Sequence, residues 1–334
     1  MDELWMKYIL LFATVLVCGA ILVLKAKNLG ARAKSVDSAN RWAPTKPTHG
    51  GLLFALSIAL GQFLFQPLTL WPNLALIAAF GIGLIDDLYR IGPRQKLAGQ
   101  YMAAICIMIH VYTLHEAWGL TLLFGFSTLV MMNSINMLDN MDGVATIGSL
   151  PFWLLSALAM ATGFTDDPLG ALILLGALAF LMFNAHPSKM FMGDSGSMLL
   201  GAAAVLCMVM LFDVYAIAWW NVLPLWIFIS TLTLADTALV VIRRIQHGKS
   251  PMQGGKDHST HHLVYYGWTQ VKVTYVFLAM ALFQSLCAFA IVAAQCHAIW
   301  TIACLIVYPL AWFIFIWMIS NSNLKSGKFD YASH

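Results

Sequence analysis

Apolar runs long enough to cross a bilayer, each ended by polar residues, recur along almost the whole chain, and this repetition decides the solvent in which it folds. A hydrocarbon layer about 30 Å thick needs about 20 consecutive apolar residues of helix. Such runs centre near Ala13, Ile58, Ala78, Ile105, Leu129, Leu155, Leu178, Val205, Ile229, Met280 and Tyr308. In a bilayer every backbone polar group must be satisfied internally, so they predict an all-α, polytopic integral membrane protein with about eleven transmembrane helices. With 60% hydrophobic residues, 10% charged residues and a mean hydropathy of +0.79, the chain lies outside the soluble globular range. The run from Trp5 to Leu24 is too long for a signal-peptide core and is expected to be a retained span. The six cysteines lie in or beside apolar runs without C-x-x-C spacing, which points to packing rather than to a thiol metal or redox site.

Orientation follows from the basic residues. Alternating the loops between two sides puts 17 of the 18 Lys and Arg on one face and leaves Lys7 opposite. The N-terminus is therefore expected outside and the C-terminus in the cytoplasm. A single transmembrane domain, 1–334, would carry cytoplasmic loops near 25–49, 86–96, 136–143, 185–196 and 243–270, whereas external loops such as Gly163–Pro168 are short. A net charge of +3 spread in this way gives no reason to expect a nucleic-acid partner.

Three acidic clusters end apolar runs on the expected cytoplasmic face: Asp86-Asp87, then Asn136 with Asp139 and Asp142 before Gly143, then Asp194 in Gly-Asp-Ser-Gly-Ser. Ionised Asp is costly within hydrocarbon, so these groups belong at the membrane edge with compensating partners. Adjacent side chains on a helix diverge by about 100°, so Asp86 and Asp87 should do different jobs. Their bland reading is a solvated helix end closed by Arg90 and Lys96. Asn136, Asp139 and Asp142 suit a nucleoside or metal site, or simply turn chemistry. Asp194 is either a helix N-cap or a Mg²⁺ carboxylate, since such sites take one or two carboxylates and leave other positions to phosphate and water. Asp236, the one acid inside an apolar run, should face the bundle interior with a partner.

The loop from Arg243-Arg244 to His258 and His261-His262 combines bases, glycines and imidazoles without cysteine, which favours phosphate and Mg²⁺ over zinc. In Lys46-Pro47-Thr48-His49-Gly50-Gly51 the glycines allow close approach of a ligand or of another helix.

Together these segments resemble the polyprenyl-phosphate N-acetylhexosamine-1-phosphate transferase superfamily, and within it the undecaprenyl-phosphate GlcNAc-1-phosphate transferases. The matching pieces are Pro47-Thr48-x-Gly50-Gly51, Asp86-Asp87 with Lys96, Asn136-x-x-Asp139-x-x-Asp142-Gly143, Asn184 with Phe191-Met192-Gly193-Asp194, and Arg243-Arg244 through His261-His262. They fall in the family's order between about residues 46 and 263. The resemblance implies transfer of GlcNAc 1-phosphate from a UDP-sugar to undecaprenyl phosphate, with release of UMP and Mg²⁺ or Mn²⁺ as cofactor. That reaction starts a cell-envelope polysaccharide such as lipopolysaccharide from the cytoplasmic face of the inner membrane, and a homodimer is compatible with it. The implied catalytic residues are Asp86, Asp87, Lys96, Asp142, His261 and His262; the implied substrate contacts are Lys46, Thr48, Asn136, Asp139, Asn184, Arg243, Arg244 and His258; the implied metal carboxylates are Asp194 and Asp87.

The neighbouring branch, the phospho-MurNAc-pentapeptide transferases, uses a histidine triplet. The sugar transferases commonly show His-x-His-His, and this chain has His258-Ser259-Thr260-His261-His262. A secondary transporter is the rival from another class, but transporters place ionisable groups near the bilayer midplane, and here nearly every acid ends a helix.

Overall fold

The computed structural model describes residues 2–25, 46–215, 219–252, 254–293, 298–329 and 331. The basic residues Lys27, Arg32, Lys34 and Arg41, which bear on orientation, lie outside them. Among the described residues the regular structure is helical: α1 (Asp2–Lys25), α2 (Gly51–Leu64), α3 (Leu70–Tyr89), α4 (Pro93–His115), α5 (Trp118–Leu138), α6 (Val144–Gly148), α7 (Leu150–Ala161), α8 (Leu169–Asn184), α9 (Gly193–Val214), α10 (Trp219–Ile229), α11 (Thr231–Gln246), α12 (Ser259–Tyr265), α13 (Gln270–Ala293) and α14 (Ala298–Lys325).

The bundle is built around α9, which is buried from Gly193 to Val209. Its small residues permit this: a Cβ on Gly201 would lie 2.4 Å from Met132 Cα, and one on Gly83 would lie 2.4 Å from the Asp194 carbonyl oxygen. Helices α3 and α5 can therefore press directly against α9, and α2, α4 and α7 complete its surround. At about 1.5 Å per residue, its 22 residues span about 33 Å, enough to cross a bilayer.

All eleven expected centres fall within helices, but they are not eleven equal spans. Among the described residues seven helices are individually long and apolar enough to cross. Helices α2, α7 and α8 are apolar but have only 14, 12 and 16 residues. The continuous span expected about Ile229 is instead α10 and α11, bent by 80° at Ser230. Composition accounts for the break: α10 carries no charged residue, whereas α11 carries Asp236, Arg243 and Arg244 on its buried side and needs polar neighbours there. A multi-pass helical membrane protein remains the description. A second, smaller core formed by Leu138, Val144, Leu232, Leu263, Phe277 and Ile316 joins α12, α13 and α14 under the loop that follows α11.

Candidate active site

The C-terminal ends of α3 and α5 and the N-terminal ends of α4 and α9 converge at one end of the bundle. Lys96, in the first turn of α4, donates to Asp86 Oδ2 at 3.0 Å and to Asp194 Oδ2 at 2.8 Å. Asn136 Nδ2 donates to the other oxygen of Asp194 at 2.7 Å and to Ser197 Oγ at 2.8 Å. Two carboxylates from distant segments thus share one ammonium, and an amide orients one of them.

Asp87, expected beside Asp194 as a metal carboxylate, instead points toward the backbone of α9, away from Asp86, as adjacent helical positions must. Its Oδ1 and Oδ2 accept the backbone N–H groups of Asp194 and Ser195 at 2.8 and 2.9 Å. A side chain of α3 therefore caps α9, whose first N–H groups have no partner within the helix and whose N-terminus is the positive end of its dipole. Gly193 makes this approach feasible: its φ is +78°, and a Cβ there would lie 2.4 Å from Thr48 O and 2.7 Å from Asp87 Oδ2.

The segment before α2 is laced to the segment before α9. Phe191 N–H donates to Pro47 O at 2.8 Å, Gly50 N–H to Phe191 O at 3.0 Å, and Gly51 N–H to Met192 O at 2.8 Å. A Cβ on Gly51 would lie 2.4 Å from Gly196 N, so this glycine pair serves backbone packing. Thr48 is buried in that seam.

Asp86, Lys96, Asn136, Asp139, Arg244 and His258 line one cavity of about 580 Å³, within the size range of small-molecule sites, about 300–1,000 Å³. Six of the expected site residues thus meet there, and Asp194 joins them through Lys96 and Asn136. A second polar group lies beyond it: Asp142 accepts from Ser188 Oγ at 2.7 Å and Ser188 N–H at 3.0 Å and lies 3.1 Å from His186 Nδ1. Lys46 donates to Ser188 Oγ at 2.8 Å, with its ammonium 5.4 Å from the Phe191 ring centroid. Asn184 fastens this corner, accepting from Gly143 N–H and donating to Met190 O.

The histidine loop is held from inside by acids. Arg244 makes a two-pronged pair with Asp257 at 2.8 and 2.7 Å, both side chains buried. Burial raises the Asp257 carboxyl, but the hydrogen bonds from Arg244 and the nearby His258 outweigh it and hold the carboxyl below its usual range. Asp236, fully buried, accepts from Ser259 N–H and Oγ and pairs with His258 Nδ1 at 2.9 Å. This meets the expectation that Asp236 faces inward with a partner. His261 is 1% exposed, and neither ring nitrogen has a hydrogen-bond partner. Burial, aided by His258, pushes its pKa down to about 3. Burial likewise pushes His262 down to about 4, against the opposing Asp257 carboxylate. His262 and Arg243 face α14 rather than the cavity: His262 Nε2 lies 3.2 Å from Ser320 Oγ, and the Arg243 guanidinium lies 3.7 Å from the Trp317 ring centroid.

Sequence reasoning passed over Gln100 and Asn133, which line the cavity as a reciprocal amide pair at 3.2 and 3.0 Å. Helical spacing was the available signal, since Gln100 lies four residues after Lys96 and Asn133 three before Asn136. Ser188 and Asp257 carried no comparable pattern. A further cavity of about 400 Å³ lies at the far end of α9; of its three acids, Asp167 accepts Leu169 N–H at 2.8 Å, Asp213 pairs with His115 at 3.0 Å and Asp166 is exposed.

Among the described residues no three metal-ligating side chains gather as a preformed cage. The donor set still fits Mg²⁺, which is commonly held by one or two carboxylates with substrate oxygens completing its shell. Residues 70–212 match the family described as Glycosyl transferase family 4. A phospho-N-acetylmuramoyl-pentapeptide-transferase of Geobacillus sp. (strain WCH70) is 30% identical over 273 residues, covering 71% of this chain and 80% of the relative. Its namesake in Thermotoga maritima is 30% identical over 271 residues, covering 73% and 84%, and that of Halalkalibacterium halodurans is 28% identical over 277 residues, covering 72% and 82%. The family match takes in Asp86, Lys96, Asn136 and Asp194, the relatives cover more than two thirds of the chain, and the chain belongs to the polyprenyl-phosphate N-acetylhexosamine-1-phosphate transferase superfamily, glycosyl transferase family 4.

Proposed function

We propose that the chain transfers an N-acetylhexosamine 1-phosphate unit from a UDP-activated sugar to undecaprenyl phosphate, releasing UMP, at the cytoplasmic edge of the membrane. The observation that carries this reading is the Lys96 ammonium shared by Asp86 and Asp194 at a cavity also lined by Asn136, Asp139, Arg244 and His258. Phosphoryl transfer between two anions requires positioning and charge neutralisation more than covalent chemistry.

An oxygen of the lipid phosphate attacks the β-phosphorus of the donor. The new P–O–P link forms as the bond to the bridging oxygen breaks, and UMP leaves with that electron pair. Asp194, with Asp86 beside it, would hold Mg²⁺ or Mn²⁺, which supplies charge neutralisation at the diphosphate. Asn136 orients Asp194, and Asp87 fixes it by gripping its backbone N–H. Lys96 and Arg244 meet phosphate charge, and Asp86 orients the acceptor or takes its residual proton. His258, held at Nδ1 by Asp236, offers its other imidazole nitrogen to the donor, and the buried His261 packs behind it. Lys46, Asp142 and Ser188 form a further polar patch for the rest of the nucleotide sugar. Asn184, Arg243 and His262 act through the loops they fasten.

Two donors are in view. The names of the relatives support UDP-MurNAc-pentapeptide. The spacing of His258 from His261-His262, unlike a triplet, supports UDP-GlcNAc, a reading the comparisons support only at the level of the superfamily. Purified protein with undecaprenyl phosphate and Mg²⁺ should release UMP from one of the two. Release from neither would overturn the reaction, and the preferred donor assigns the branch.

A further inference from the structure

The residues behind the histidine loop belong to the end of the chain. Gly327, with φ +68°, lets the backbone reverse at the end of α14, and Lys328 N–H then donates to Asn323 O at 3.0 Å. The returning tail places Phe329, 3% exposed, with its ring 5.2 Å from that of His262 and stacked 5.6 Å from that of Tyr265. Tyr331 stacks on His247 at 4.1 Å, and Lys249 Nζ donates to the Tyr331 carbonyl oxygen. Asn323 Nδ2 donates to His262 O at 2.8 Å. The hollow left between tail and loop is only about 10 Å³, too small for a ligand.

These contacts bear on a segment that cannot hold itself. From His247 to His258 the described residues form no helix, and Gly248, Gly254 and Gly255 give the segment's unfolded ensemble extra freedom to lose. On the cavity side the loop is gripped by Arg244–Asp257 and by Asp236, and Thr260 Oγ1 is tied to Asn140 Oδ1. On the other side the partners are α14 and the tail. We propose that the C-terminal tail, through Phe329 and Tyr331, is a positioning strap that holds α12 and the loop before it so that His258 faces the cavity. The strap rests on the proposed function for its consequence in catalysis, but its contacts can be tested without it.

The test uses full-length protein in lipid nanodiscs, comparing Phe329→Ala/Tyr331→Ala with the conservative Phe329→Leu/Tyr331→Phe. Amide exchange over 254–262 should quicken about tenfold in the Ala pair while α9 keeps wild-type protection. UMP release should lose about tenfold in kcat with KM for undecaprenyl phosphate within about twofold, and the conservative pair should restore both. Wild-type exchange or kcat in the Ala pair, exchange that also quickens along α9, or a conservative pair as impaired as the Ala pair would each overturn the strap. If wild-type protein releases no UMP from either donor, the proposed reaction fails instead, and the exchange measurement still decides the strap.

Discussion

Asp86 and Asp87 are chemically identical neighbours, yet the structure predicts that losing the charge of one unsettles the bundle and losing that of the other does not. Asp87 accepts two backbone N–H groups at the start of α9, the helix against which α3 and α5 pack. In Asp87→Asn a single carbonyl oxygen remains, so one N–H loses its acceptor. A hydrogen bond to a charged group contributes about 1.5–3 kcal/mol. A negative charge near a helix N-terminus adds about 0.3–1 kcal/mol. Together the loss is about 2–4 kcal/mol, a fall of roughly 3–6 °C in Tm for a chain of this length. Asp86→Asn gives up one contact to Lys96, which keeps its partner Asp194, so its Tm should stay within about 2 °C of wild type. Tryptophan fluorescence during heating in detergent reports the transition, with Trp153 and Trp226 buried in the core. Equal melting of the two variants, or a larger fall for Asp86→Asn, would refute the division of roles.

Three further outcomes follow from the same geometry. Asp194→Asn should abolish UMP release while leaving a folded protein in detergent; near-normal turnover at ordinary Mg²⁺ would remove Asp194 from the site. His261 and His262, pushed down to about 3 and 4, stay neutral in the folded protein where the unfolded chain takes up protons. Stability is therefore full above about pH 6.5 and declines as pH falls below it toward the folded values, by up to about 1.4 kcal/mol per unit for each imidazole. Thermal unfolding of His261→Gln/His262→Gln at pH 7.5, 6 and 5 should show a flatter slope, and an unchanged slope would count against the burial argument. Finally, Arg90→Cys, Lys189→Cys and Met252→Cys should resist an impermeant thiol reagent applied outside intact cells, whereas Phe164→Cys should react; external labelling of any of the first three would reverse the proposed orientation.

Much of this was legible because bilayer and helix impose periods on the sequence. The centre of each of the eleven apolar runs falls within a helix, since length and hydropathy need no tertiary information, although the run about Ile229 is divided between two helices and three others are short. The break between α10 and α11 was less visible because Ser230 is a small residue inside an apolar run, and the case for a bend lies in partners that are distant in sequence. Asp236 illustrates the point: its need for a partner was readable, but His258 and Ser259, twenty-two and twenty-three residues away, were not identifiable as that partner. Likewise Asp142 and Asn184 stand in recognisable motifs, while Ser188, which accepts from Lys46 and donates to Asp142, carries no pattern of its own.

The two adjacent pairs explain why motif membership and site membership differ. In Asp86-Asp87 and in Arg243-Arg244, helix geometry turns one side chain toward the cavity and the other about 100° away into the scaffold. Asp86 meets Lys96 and Asp194, whereas Asp87 caps α9; Arg244 meets Asp257 at the cavity, whereas Arg243 stacks on Trp317 of α14. The scaffold member of each pair anchors the element that carries the site member to a second helix, so the doublet fixes position as well as charge. Separating the two residues of a pair by one inserted residue would swing the site member about 100° off the cavity. A single Ala inserted between Arg243 and Arg244 should therefore abolish UMP release, with α9 amides retaining their protection, whereas Ala inserted between Gly254 and Gly255, in irregular backbone, should be tolerated far better. Equal losses at both places would show that loop length, not helical phase, sets the site.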